Sequence, residues 1–222
     1  MNNIKLTVVI TITLIILLIT PKIIKQKTYK KLTSLLSNKQ YDQFEKKLDS
    51  LSAITSFKPF NREYMRLTSY FMQNNQSKIK NQLDLMFDKL KMTKEQKKAV
   101  ATRGFYFYME IQEYDKANKM ISILQDTPIN QNEMHNIKVM YSILAEKKGD
   151  YIEEIKNRLK ALKKDISSYS DNAKQVKIGI FEYLLGIQYY YINEKQISHK
   201  YLISALSHCK NTPYEREIKK YL

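Results

Sequence analysis

Residues 101–124 read ATRGFYFYMEIQEYDKANKMISIL. Four aromatics fill the first four of the five positions from Phe105 to Met109, and a fifth, Tyr114, stands beside the charged turn after them. In a helix, where successive side chains are about 100° apart, such a block is divided among several faces. The alternative is one exposed aromatic platform, and the choice between the two decides both the fold and the site.

The rest of the chain favours helices. Its 222 residues hold only four Gly and four Pro, too few for the turns of a sandwich or barrel. Long runs of Lys, Leu, Ile, Glu, Gln and Asn lack strand-like alternation, so the expected class is all-α. The formal charge is +16, from 38 Lys and Arg against 22 Asp and Glu, which bears on anionic partners rather than on fold. The same abundance of Lys, Asn, Ile and Tyr is what AT-rich coding produces, so a solvated basic surface is the plain reading of much of it. Cys209 is the single cysteine, which leaves no intrachain disulfide.

At the N-terminus, Leu6–Pro21 reads LTVVITITLIILLITP, uncharged and flanked by Lys5 and Lys22. Eleven of these residues are Val, Ile or Leu, against four threonines. About 20 residues suffice to cross a bilayer core of roughly 30 Å. No small-residue cleavage pattern comes after the apolar run, so residues 4–24 are expected to stay as a single membrane anchor, with 1–24 as the anchor segment. Lys22, Lys25, Lys27, Lys30 and Lys31 crowd the distal side without an acid among them. The positive-inside rule then puts the large C-terminal region in the cytoplasm, with these lysines near anionic headgroups at about 1 kcal/mol each.

Turn-like clusters recur around Tyr41, Lys78, Tyr114, Tyr151 and Lys195, at separations of 37, 36, 37 and 44 residues. A period near 37 suits one helical hairpin per unit. In the opening stretch the order of small, aromatic, turn, Tyr, Ala and aliphatic residues resembles a tetratricopeptide repeat, whose unit is 34 residues. Ala101, Gly104, Phe105 and Tyr108 match its first-helix packing positions, Ala117, Ile121 and Leu124 those of the second, and Pro128 its closing proline. LLGIQYYYINEKQISHKYLISALSHC, from Leu184 to Cys209, matches again: Leu185, Gly186 and Tyr189, then Ser198, Leu202 and Ala205. Three units depart at the small second-helix position, with Glu154, Phe44 and Asn81.

The resemblance covers residues 25–222 and implies a right-handed superhelical array of about five antiparallel helical hairpins behind the anchor. Its concave groove would take Thr102, Tyr106, Met109 and Glu110 from the third unit. Val139, Ile143 and Glu146 would come from the fourth, and Tyr183, Ile187, Tyr190 and Tyr191 from the fifth. Thr212-Pro-Tyr-Glu215 reads as a capping box opening a terminal helix over 213–222, and Thr93-Lys-Glu-Gln96 as a second box.

Chemistry is sparse. His199 and His208, nine apart on one helix, fall on opposite sides, and His135 stands alone, so no metal site is expected. No nucleophile elbow, phosphate loop or dinucleotide fingerprint occurs, and Glu153 with Glu154 reads as a solvated face; neither catalysis nor a cofactor is expected. Lysines are interspersed with acids rather than gathered on a docking element, which argues against nucleic acid. The expected function is a membrane-anchored scaffold for a protein or peptide partner. The alternative is an extracytoplasmic chaperone-like or envelope assembly factor on the same anchor.

Overall fold

The structure, a computed structural model, describes residues 2–165 and 171–222, and the side chains of 2–19 and of 171 lie outside that description. Twelve helices succeed one another among the described residues: α1 (Asn2–Ser37), α2 (Tyr41–Leu48), α3 (Leu51–Ser56), α4 (Pro59–Met72), α5 (Gln76–Lys89), α6 (Lys94–Glu110), α7 (Tyr114–Gln125), α8 (Gln131–Leu144), α9 (Ile152–Lys164), α10 (Asp171–Tyr191), α11 (Lys195–His208) and α12 (Pro213–Lys219). No strand occurs among the described residues, so the all-α class is observed. Neighbours in sequence pack as neighbours in space: α1 on α2 and α3, α4 on α5, α7 on α8, α9 on α10 and α10 on α11. The helices form two compact units, Met1–Val100 and Ala101–Leu222, whose boundary falls inside α6.

One reversal recurs through both units. Lys39, Asn74, Gln112 and Asn193 each take a left-handed conformation, with φ of 55°, 51°, 60° and 65°. Each donates its N–H three residues back, and the next residue donates five back: Gln112 to Met109 and Glu113 to Tyr108, Asn193 to Tyr190 and Glu194 to Tyr189. The pairs Lys39 to Leu36 with Gln40 to Leu35, and Asn74 to Phe71 with Asn75 to Tyr70, repeat the pattern. This is the Schellman closure of a helix C-terminus, which satisfies carbonyls that the helix itself leaves open. In each case the second helix begins two residues later, at Tyr41, Gln76, Tyr114 and Lys195.

Because the reversal is the same, it fixes the rotational phase of the second helix. Five residues after the left-handed position stand Phe44, Ile79, Ala117 and Ser198, and nine after it Leu48, Leu83, Ile121 and Leu202; all eight are buried. The second unit is therefore registered on Gln76 and not on Lys78, and Ile79, not Asn81, takes the inward position read as a departure from the repeat. The Lys147 turn, also left-handed at φ 56°, is wider, with Lys148 donating to Ser142. There the buried residues are Ile155, Leu159 and Leu162, while Glu154 accepts from His135 and Arg158 at the surface.

In unit 1, Leu32 and Leu35 of α1 meet Phe44 and Leu48 of α2, Ala53 of α3 and Phe57. In unit 2, α10 is the central helix. A Cβ built on Gly186 would lie 2.7 Å from Leu202 Cγ, so α10 and α11 approach at a distance only glycine permits. Two buried polar side chains tie the neighbouring helices to it. Glu182, 3% exposed, accepts from Lys163 Nζ at 3.0 Å and Ser204 Oγ at 2.8 Å and pairs with His208 Nδ1 at 2.8 Å. Gln188 Oε1 accepts the Tyr151 N–H at 3.0 Å, and its amide donates to the Leu184 carbonyl at 3.1 Å. Such partners are what make a buried carboxylate and a buried amide tolerable.

The helix starts are mixed. Thr93 and Gln96 form a reciprocal box, Thr93 N–H to Gln96 Oε1 at 3.0 Å and Gln96 N–H to Thr93 Oγ1 at 3.3 Å. The Thr212 box does not form: its hydroxyl donates back to the Cys209 carbonyl at 2.7 Å, and Glu215 accepts from Asn211 N–H at 2.8 Å. Closing the end of α11 wins over capping α12. Helix α1 contains Pro21 and continues without a break past the 24/25 boundary expected from sequence. Among the described residues no helix is long and apolar enough to cross a membrane, and the side chains of 6–19, on which the expectation of an anchor rests, lie outside them.

Two substitutions test this packing. Gly186→Val should lower unfolding stability by about 2–4 kcal/mol through overpacking against Leu202, and Leu202→Ala should recover part of the loss in a double-mutant cycle by denaturant titration. Gln112→Gly should raise stability by up to about 1 kcal/mol and Gln112→Val lower it, because only the left-handed strain changes.

Candidate functional site: a tyrosine-lined face covered by the C-terminal helix

All eleven residues expected to line a groove belong to unit 2, where α6, α8 and α10 carry ten of them and Glu146 stands in the turn after α8. They divide into a floor and a rim. Met109, Val139, Ile143, Tyr183 and Ile187 are buried, and the last four share one apolar cluster with residues of α9 and α11. Tyr106 is 46% and Tyr190 49% exposed, Glu110 and Glu146 are exposed, and Thr102 and Tyr191 are half-buried. The Thr102 hydroxyl is itself enclosed and has no hydrogen-bond partner among the described residues. Glu146 pairs with Lys148 at 2.9 Å.

In the block from Phe105 to Met109, Phe105, Phe107, Tyr108 and Met109 are all buried. Tyr106 alone of the five is exposed, which rules out an aromatic platform and leaves one tyrosine at the surface. Helix periodicity spreads five successive side chains over different faces of α6, so they do not form one surface.

The residues that cover the floor come from α12 and the residues just after it. Ile218 is fully buried within the same cluster as Tyr183 and Ile187. The Tyr214 ring lies 6.4 Å from Tyr183, and the Tyr221 ring lies 6.3 Å from Tyr183, 5.4 Å from Tyr190 and 6.4 Å from Tyr191. The Tyr191 and Tyr221 hydroxyls are hydrogen-bonded at 3.3 Å. Edge-on ring pairs of this kind contribute about 0.5–1.5 kcal/mol each beyond the area they bury. Tyr214, Ile218 and Tyr221 were legible only as the cover of a final repeat. Their spacing of four and three residues is the signal for one apolar face, and a helix with such a face has to be seated on something.

The phenols respond to this enclosure. Burial, then the proximity of Tyr221, Glu217, Tyr114 and Tyr214, raises the Tyr183 hydroxyl well above its ordinary value. For Tyr191 the causes are burial and then the hydrogen bond to Tyr221. Tyr114, opening α7, is raised by burial and then by Tyr221 and Glu217, which puts the start of α7 beside the C-terminal helix. Tyr214 is raised by burial, with Glu110 and Tyr106 among its neighbours. The face is thus a set of neutral, hydrogen-bonding aromatics around a seated helix. No group of three or more His, Cys, Asp or Glu stands ready to hold a metal among the described residues. The lone Cys209 is buried, and burial raises its thiol.

A phenol whose folded value is raised favours the folded state fully below the unfolded value, near 10, and loses that contribution as pH climbs towards the folded value. Tyr183→Phe and Tyr191→Phe should each remove one tyrosine from the late, alkaline part of an ultraviolet absorbance titration of the 17 in the chain. Loss from the early part instead would show the face to be open.

Comparison of the chain with protein-family models, with curated proteins and with solved structures finds no match, so the chemistry of the face is read from its own geometry.

Proposed function

We propose that the chain is a membrane-anchored, tetratricopeptide-like scaffold that binds a protein or peptide segment beside the bilayer. The observation that carries this reading is the seating of the C-terminal segment: the face expected to hold a partner takes Tyr214 and Ile218 of α12 against Tyr183 and its cluster, and Tyr221 just after α12 against Tyr183, Tyr190 and Tyr191. A surface that takes Tyr214, Ile218 and Tyr221 suits helical segments with aromatic and aliphatic residues at the same spacing. Support for the repeat reading comes from the small residues Ala101, Gly104, Ala117, Gly186 and Ala205, all buried, with α11 approaching closely at Gly186. Support for the anchor comes from the uncharged run Leu6–Thr20, and for a cytoplasmic repeat region from Lys22, Lys25, Lys27, Lys30 and Lys31 beyond it.

A photocrosslinking residue at Tyr106 should capture polypeptide in native membranes, and ending the chain at Thr212 should raise that capture for a partner that reaches the floor and lower it for one held on the rim. The same residue at Lys119, exposed on α7, should not. Equal capture at both positions, or none at either, overturns the peptide-binding reading. Protease added to intact cells should leave 25–222 uncut; cleavage there would move the repeats to the outside and favour the envelope-factor alternative.

A further inference from the structure

In unit 1, a cavity of about 540 Å³ opens between α1 and the α3–α4 corner. Its α1 wall includes Lys22, Lys25 and Tyr29, spaced by three and four residues on one helix face, and the opposite wall includes Phe57, Tyr64 and Met65. The size is that of a small-ligand site. No acid lines it. The wall begins one residue after Pro21, where the uncharged run ends, and Lys22 to Tyr29 covers about 10 Å of helix, comparable with the headgroup layer of a bilayer.

The surface around it has the same character. Ile23 and Ile24 on α1 and Leu51 and Ile54 on α3, the helix packed against α1, are exposed large apolar side chains, Leu51 at 76%. Lysine ammonium groups, tyrosines with an apolar body and a polar tip, and exposed aliphatics are the chemistry of a membrane interface.

We infer that this cleft binds the headgroup and glycerol region of one anionic phospholipid. The phosphate lies at Lys22 and Lys25, the glycerol and first methylenes rest on Tyr29, Phe57, Tyr64 and Met65, and the acyl chains descend along the uncharged run. The inference rests on the membrane-anchored reading for its setting and adds a defined lipid site to it.

The test uses the full chain purified in detergent, with phosphatidylglycerol and phosphatidylcholine as probes and bound lipid counted by native mass spectrometry. One phosphatidylglycerol should be retained in preference to phosphatidylcholine. K22Q/K25Q should weaken that binding about tenfold or more, given the contribution of each lysine near a lipid surface. K27Q/K30Q, which removes the same charge from exposed lysines of α1 that do not line the cleft, should change it less than about threefold. Equal loss in the two variants, or equal retention of both lipids, overturns the site in favour of diffuse attraction. Competition by millimolar inorganic phosphate would show a free-phosphate site instead. Alkaline extraction of native membranes reports separately on the anchor: a chain that is extracted yet keeps phosphatidylglycerol loses the anchor and retains the cleft, and a chain that resists extraction but retains both lipids equally does the reverse.

Discussion

The architecture depends on a chain reversal made without glycine. Each of four helix pairs turns on one left-handed residue, Lys39, Asn74, Gln112 or Asn193, whose N–H and that of its successor close the carbonyls of the helix before it. Lysine and glutamine in that conformation cost on the order of 1–2 kcal/mol. The cost is offset because the closure satisfies two carbonyls that the helix end leaves open and starts the next helix at a constant phase. That phase aims Phe44, Ile79, Ala117 and Ser198 at the partner helix, whatever their size. A repeat can thus vary from phenylalanine to serine at one position and keep its geometry, since what its copies share is the turn.

Size variation at that position has to be balanced across the pair. In the last pair the small residues Gly186, Ser198 and Ala205 let α10 and α11 close around Leu202, and the buried Glu182 and Gln188 then find partners on both flanking helices. A carboxyl group at 3% exposure is costly unless every oxygen is occupied, and here Lys163, Ser204 and His208 occupy both. The polar interior therefore specifies which helices surround α10, while the aliphatic residues supply most of the driving force.

This division explains what was legible in the sequence. The helix pairs were, because Gln112 and Asn193 sit in polar clusters between apolar runs and because Ala117, Ile121 and Leu124, like Ser198, Leu202 and Ala205, repeat at helical spacing. The second unit was misregistered by two residues because a left-handed Asn74 looks no different in sequence from its neighbour Asn75, which serves as the N-cap of α5. The Thr212 box failed because its hydroxyl had two local acceptors and donors to choose between, and sequence does not rank them. The short α3 was missed because Leu51–Ser56 is too brief for periodicity to register, and its single buried residue, Ala53, gives no stripe. For the candidate face, position along each helix was legible but depth was not. Val139, Ile143 and Ile187 are buried in a cluster built with residues of α9 and α11, which Ile218 joins from the end of the chain, and that depth has no signature in their own spacing.

That arrival also constrains how the face can work under the proposed reading. Helix α12 is tied to α11 by the four residues Cys209–Thr212, so its effective concentration over Tyr183 is far above that of a free partner. A partner that needs the floor binds only the undocked fraction, and its apparent dissociation constant rises by the reciprocal of that fraction. A partner that uses the rim, where Tyr106 and Tyr190 stay about half exposed beside the seated helix, escapes that penalty and gains the Tyr221 ring as an additional contact. The two modes differ in sign: removing α12 strengthens the first and weakens the second. The docked helix is therefore either a competitor or a part of the binding surface, according to how deep the partner reaches.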